Sequence, residues 1–245
     1  MKISKDELST MYTNHLRTYH ELHGNGATPM HPNRVCSEII DLRMLSSYEI
    51  HLGVNLGVTQ EKIERMIHLA VFLLNEYDRG NKEVDGSYVT MTSFYYGLDA
   101  FAVGCFNAGN TFFSKIGGRE KAEKRTDSKF ISSMGYAIKD LVANGACSHD
   151  LLENMKRHFS SNSLIGYYLM VYGISLRNSD LVEQGLGKVL AGHKVLTKPN
   201  GIFYATPDEY ICFWAIGILK LAAYQGMELS LPESDLLPQS LLRMR

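Results

Sequence analysis

Tyr210 to Gly226 reads YICFWAIGILKLAAYQG, with one charged residue, Lys220. Such a stretch suits a membrane segment, a cofactor pocket or the buried centre of a soluble fold, and its length and flanks bear on the choice. In the preceding TPDE, Thr206 is placed to cap, Pro207 to take the first helical position and Glu209 to close a capping box. The apolar run from Tyr210 to Tyr224 is about 15 residues and includes Lys220, against roughly 20 needed to span a bilayer. A helix apolar on most sides and too short for a membrane belongs in the middle of a helical array.

The remaining segments supply that array. SKDE at Ser4–Glu7 is a capping box, and Leu8, Met11, Tyr12, His15, Leu16 and Tyr19 follow at three and four spacing, predicting a helix from about Lys5 to Leu22. HGNGATPMHPN then breaks it with two glycines and two prolines. Val35, Ile39, Leu42, Leu45, Tyr48 and Leu52 predict a second helix, from Arg34 to about Leu56 with Gly57 as its C-cap. Thr59 is expected to cap a third, antiparallel to it and ending near Arg79.

Tyr88 to Ile116 mixes glycines and alanines with phenylalanines, which predicts one or two tightly packed helices. Further helices are expected from Asp127 to Asn144, after Ser148, and as a pair hinged at Arg177-Asn178-Ser179 with Ser179 capping the second member. That pair resembles the unit of an α-solenoid. Only GIFYAT (201–206) and ELSL (228–231) alternate as strands do, and neither has a hairpin partner. The expected fold is all-α, with about eight or nine helices in antiparallel pairs, as an α-solenoid-like array or an irregular bundle. Residues 1–245 read as a single domain, with an N-terminal helix and loop over 1–32 and the array of helical pairs over 33–245.

Composition narrows the function. With 45% hydrophobic and 21% charged residues the chain can bury a real core, and a net charge of −1 gives no overall field for nucleic acid or an anionic membrane. Cys36, Cys105, Cys147 and Cys212 form no C-x-x-C pair and read as reduced, buried thiols. The start has no apolar run that could serve as a signal segment, so a cytoplasmic protein is expected.

Candidate chemistry is sparse. His20 and His23 sit one turn apart, but His20-Glu21-Leu22-His23 lacks the i, i+4 histidines of a metalloprotease, so no metal is expected. GNGATP and GLGKVL lack the spacing of a phosphate loop, and no cofactor is expected. Cys147 with His149, or Ser163 with a distant histidine, could be assembled for nucleophilic catalysis, but a triad is defined by geometry. Lys115, Arg119, Lys121, Lys124 and Arg125 are interspersed with Glu120, Glu123 and Asp127, as in a solvated connector. Asp78, Glu83 and Asp85 cluster around one inter-helix loop, NEYDRGNKEVDG, and are the candidate contact patch for a basic partner surface.

The C-terminal stretch resembles bacterial immunity protein family 49. The resemblance is carried by LVEQGLGKVLAGHKVL, with His193-Lys194 near its end, the apolar helix Ala215 to Tyr224, the turn at Gly226, and Leu237-Pro238-Gln239-Ser240-Leu241. It is fullest over residues 180–242 and architectural before that, in YYGLDAFAVGCFNAGN and YYLMVYGISLRNSD. The resemblance implies an all-α protein without catalytic activity, which neutralises a cognate bacterial toxin domain by covering its active site or locking its conformation. The implied partner is that toxin domain, with a homo-oligomer also allowed, and with neither nucleic acid nor membrane. A helical-repeat scaffold for protein–protein interaction is the alternative, although no 34-residue period is present. An α-helical enzyme acting on a lipid or isoprenoid would call for a D-D-x-x-D cluster, and the chain has none.

Overall fold

The computed structural model describes residues 4–24, 31–126, 128–158 and 162–242, and among these every regular element is helical. In chain order the α-helices are α1 (Lys5–His23), α2 (Pro32–Leu52), α3 (Leu56–Asp78), α4 (Tyr95–Ala102), α5 (Phe106–Lys115), α6 (Glu120–Thr126), α7 (Lys129–Asn144), α8 (His149–His158), α9 (Asn162–Ser175), α10 (Ser179–Leu196), α11 (Phe213–Tyr224) and α12 (Gln239–Leu242). Short 3-10 turns lie at Gly86–Val89, Met91–Phe94 and Pro207–Glu209. The twelve helices among the described residues exceed the expected eight or nine because the Tyr88–Ile116 run divides into two 3-10 turns, α4 and α5, because the polar connector holds the short α6, and because the Leu237–Leu241 segment adds the short α12.

Local chemistry sets most helix ends. Ser4 and Glu7 form the capping box at α1. Gly53, at φ 73°, ends α2 as a left-handed C-cap, four residues before the expected Gly57. Asn55, not Thr59, caps α3, because its carboxamide reaches the Gly57 amide at 2.9 Å and Thr59 is turned inward. Asn178 caps α10 by accepting from the Leu181 amide, while Ser179 donates to the carbonyl of Glu228. Ser128 precedes α7, and Asp127, the expected start, lies outside the described residues. Most of GNGATP and the side chain of Ser163 also lie outside them.

The TPDE reading is corrected. Pro207–Glu209 is a separate 3-10 turn, Thr206 makes no side-chain cap bond, and the Glu209 carboxylate accepts instead from the Ala205 amide. α11 starts six residues after Pro207, at Phe213, with Cys212 at its N-cap.

The expectation for the body of that stretch holds. Phe213 through Ala222 is buried without a break, Lys220 included, so α11 is the central pillar. Gly217 makes this packing feasible: a Cβ there would lie 2.4 Å from the Leu98 carbonyl oxygen of α4, so the two backbones touch directly. α4 and α5 pair by the same device, with Gly97 under the ring of Phe113 and Gly109 under the ring of Phe101. The cores of the helices merge into one hydrophobic cluster running from Val35 to Leu241. No helix among the described residues is long and apolar enough to cross a membrane.

Candidate functional site

The most unusual chemistry lies inside, where α2, α4 and the Pro207–Glu209 turn meet. Arg43 of α2 directs its guanidinium at two carboxylates, Asp99 of α4 through Nε and Nη2, and Asp208 through Nη2. The side chains of both aspartates are almost fully buried. The Tyr95 ring lies beneath the guanidinium, 4.6 Å from its centroid to Cζ, adding a cation–π contact. One cation facing two acids cannot neutralise both. Burial accordingly pushes the Asp99 carboxyl up to about 7 against the pull of Arg43, with the neighbouring Asp208 adding to the rise.

A second pair adjoins this centre. The thiol of Cys212 lies 3.1 Å from Nδ1 of His193, whose Nε2 faces the Glu209 carbonyl at 3.3 Å. Both side chains are buried, with the His193 ring against Phe203, which in turn meets Tyr167 and Trp214. A cysteine next to a histidine is the arrangement of a nucleophile and its base, but activation requires a thiolate. Here burial pushes the thiol strongly up, with Asp208 adding to the rise, and burial pushes the imidazole down. The pair is therefore a neutral thiol beside a neutral ring, and it fastens α10 to the start of α11.

The expected acidic patch is largely engaged in internal contacts. Asp78 accepts two bonds from Arg119, at 2.9 and 2.6 Å, so the acidic loop and the basic connector face each other. Asp85 caps the turn at Gly86 by accepting from the Ser87 amide, and the bonds from Ser87 hold its carboxyl below the usual range. Glu83 is exposed and lies 3.5 Å from Nε2 of His31. In the basic connector, Lys124 pairs with Glu120 at 3.1 Å, and Arg119 also donates to the carbonyls of Lys115 and Gly117.

The remaining candidates separate in space. Cys147 is buried, and its thiol is pushed up to about 12 by burial and by Asp140, while His149 is exposed. His20 packs edge-on against Tyr19, whereas His23 bonds Oδ2 of Asp41 at 2.8 Å. Oδ1 of the same carboxylate takes His15 at 3.0 Å. This His15–Asp41–His23 clasp belongs to a row in which Glu38 takes Tyr19 and Arg65, and Glu49 takes Tyr12, Thr59 and Lys62. Among the described residues no group of three or more His, Cys, Asp or Glu could hold a metal ion.

Arg43, Asp99 and Asp208 were missed as a group, although each carries a sequence signal. Asp99 is an isolated charge in GLDAFAV, whereas Arg43 in IIDLRML and Asp208 in TPDEYIC each have a second charge close by in otherwise apolar surroundings, and a charge that must be buried needs a partner. Pairing positions 43, 99 and 208 required the tertiary structure. Compared with protein-family models, with curated proteins and with solved structures, the chain matches none of them.

Proposed function

We propose that this chain is an immunity protein that binds and neutralises a cognate bacterial toxin domain, by occluding it or locking its conformation. The observation that carries the reading is the resemblance over residues 180–242. Within it α10 meets the start of α11 through His193 on Cys212, α12 packs on α11, and Cys212 donates its amide to the Leu236 carbonyl at 3.0 Å, while the body of α11 rests mainly on α4. Chemistry in this unit is spent on rigidity: the His193–Cys212 pair and the Arg43–Asp208 contact are sealed from solvent and fix the segment that joins α10 to α11. A rigid helical body with a preformed surface suits tight binding, because little freedom is lost on association.

The test is co-expression with the product of a toxin-like reading frame adjoining this chain's own, scored by survival and then by co-purification, and the absence of any such frame counts against the proposal. Rescue with a stable complex is expected. Cell death with both proteins soluble would sink the proposal.

A further inference from the structure

We infer that the outer face of α10, together with the loop at residues 197–206, is a docking surface for a partner protein with an acidic surface. Three observations converge there. The first is exposure of large apolar side chains: Val195 is 54%, Ile202 40% and Tyr204 52% accessible. Ile202 and Tyr204 flank Phe203, which is buried against Trp214 at 5.0 Å between ring centroids, so GIFYAT alternates out, in, out without forming a strand.

The second is rigidity. The Phe203 amide donates to the Leu196 carbonyl at 3.0 Å and Gly201 to Lys198 at 2.7 Å, folding the loop back onto the end of α10. A Cβ on Gly201 would lie 2.1 Å from the Leu196 carbonyl oxygen, so this close approach requires glycine. Asn200 and Ala205 take left-handed backbone, at φ 69° and 53°, which is unfavourable for alanine. Asp208 on Arg43 and Glu209 on the Ala205 amide hold the far end. Backbone strain and a buried ion contact thus keep two large apolar side chains about half in water, where their exposed surface gains nothing from the protein's own fold. Preformed aromatic and aliphatic anchors of this kind are what binding hot spots are made of.

The third is charge. From Gln184 to Pro207 there are three lysines, Lys188, Lys194 and Lys198, and no acid, in a protein of net charge −1. All three are exposed. The nearest acids that follow, Asp208 and Glu209, are engaged with Arg43 and Ala205. Exposed apolar side chains on a segment whose charges are all lysines are complementary to an acidic partner surface, with charge steering encounter and the anchors setting the lifetime. The inference rests on the immunity reading for the partner's identity, and it places the contact away from the Asp78, Glu83 and Asp85 loop.

The test uses the full chain with a photo-crosslinking amino acid in place of Tyr204, in the cells that produce it, with the adduct and its linked peptide identified by mass spectrometry. In parallel, binding of the adjacent toxic domain is measured for wild type, I202A/Y204A, K194E/K198E and D78K/E83K/D85K. Melting curves check that each variant is folded. Expected are an adduct on an acidic surface of the toxic domain, affinity at least tenfold weaker for I202A/Y204A, and slower, less salt-sensitive association for K194E/K198E.

If the toxic domain binds but position 204 forms no adduct and these variants stay within twofold of wild type, the surface is wrong and the immunity reading stands. If the toxic domain does not bind, yet position 204 captures another acidic protein in a manner that needs Lys194 and Lys198, the immunity reading falls and the surface stands. No adduct in either setting, or an adduct with a second copy or with nucleic acid, overturns the inference.

Discussion

Gly166 of α9 and Gly185 of α10 face each other so closely that a Cβ on Gly166 would lie 2.6 Å from the Gly185 carbonyl oxygen, and one on Gly185 would lie 2.7 Å from that of Gly166. Together with Gly173 against Val182, this fixes the two helices as an antiparallel pair in backbone contact. Gly185→Ala is therefore expected to cost about 2–3 kcal/mol or more, because backbone cannot yield as a flexible side chain can. Gly187, in the same helix, has nothing within 4 Å of its Cβ position. Gly187→Ala should stabilise by up to about 1 kcal/mol through helix propensity. Denaturant titration of both variants checks the pair, and equal effects would refute the packing.

Removing Arg43 leaves two buried carboxylates without their cation. Arg43→Met is expected to cost about 3–5 kcal/mol. The triple variant Arg43→Met, Asp99→Asn, Asp208→Asn should recover at least half of that loss, since it leaves no unpaired charge. A cost below about 1 kcal/mol for the single variant would mean that the carboxylates reach water.

The raised Asp99 carboxyl sets a pH dependence. The folded protein keeps a proton up to about pH 7 that the unfolded chain releases near pH 3.9. The stability contributed by that proton is full below about pH 4 and is lost as pH rises to about 7. His51 and His193, both lowered by burial, act in the opposite direction, but they do so equally in wild type and in Asp99→Asn. Between pH 4.5 and 7.5 the variant should therefore gain stability relative to wild type, on the order of a few kcal/mol. Parallel stability curves for the two proteins would contradict the assignment.

α1 is fastened by polar contacts, since Leu8 is its one buried residue while Tyr12, His15, Tyr19 and His23 all bond acids of α2. Asp41→Ala removes the shared acceptor of both histidines. Amide exchange in α1 should speed up at least about tenfold, with α11 unchanged, and the effect should be mimicked in part by high salt. Uniform acceleration across the chain would show that α1 opens only with the whole fold.

The thiols offer a chemical check on burial. Cys36 is pushed up to about 11 and Cys105 to about 12, burial being the main cause, and Cys212 is fully buried. At pH 8 an aromatic disulfide reagent should label none of the four free cysteines of the native protein on the timescale that suffices for the unfolded chain. Fast labelling of Cys147 would revive it as a reactive group.

Much of this architecture was legible from local pattern. The capping box at Ser4, the helical period of α2 and α3, and the apolar run of α11 are all short-range features, because helix formation depends on contacts three and four residues apart. Where expectation slipped, long-range contacts had won. Thr59 could have capped α3, but its hydroxyl is taken by the buried Glu49, so Asn55 caps instead. Thr206 and Glu209 have the spacing of a capping box, but Asp208 is drawn to Arg43 and holds the chain in a 3-10 turn, which delays α11 to Phe213.

The sequence by itself determined the helical class, the central place of α11 and the burial of the cysteines, since apolar periodicity and composition act locally and additively. Tertiary structure alone decided which charges meet, because Arg43, Asp99 and Asp208 are 56 and 165 positions apart along the chain and only packing brings them together. It also decided that Asp78 is held by Arg119 and that Ile202 and Tyr204 stand in water. Exposure is a property of the whole fold: the same alternation in GIFYAT would have buried either face, and the anchoring of Phe203 beneath Trp214 selected which one the solvent meets.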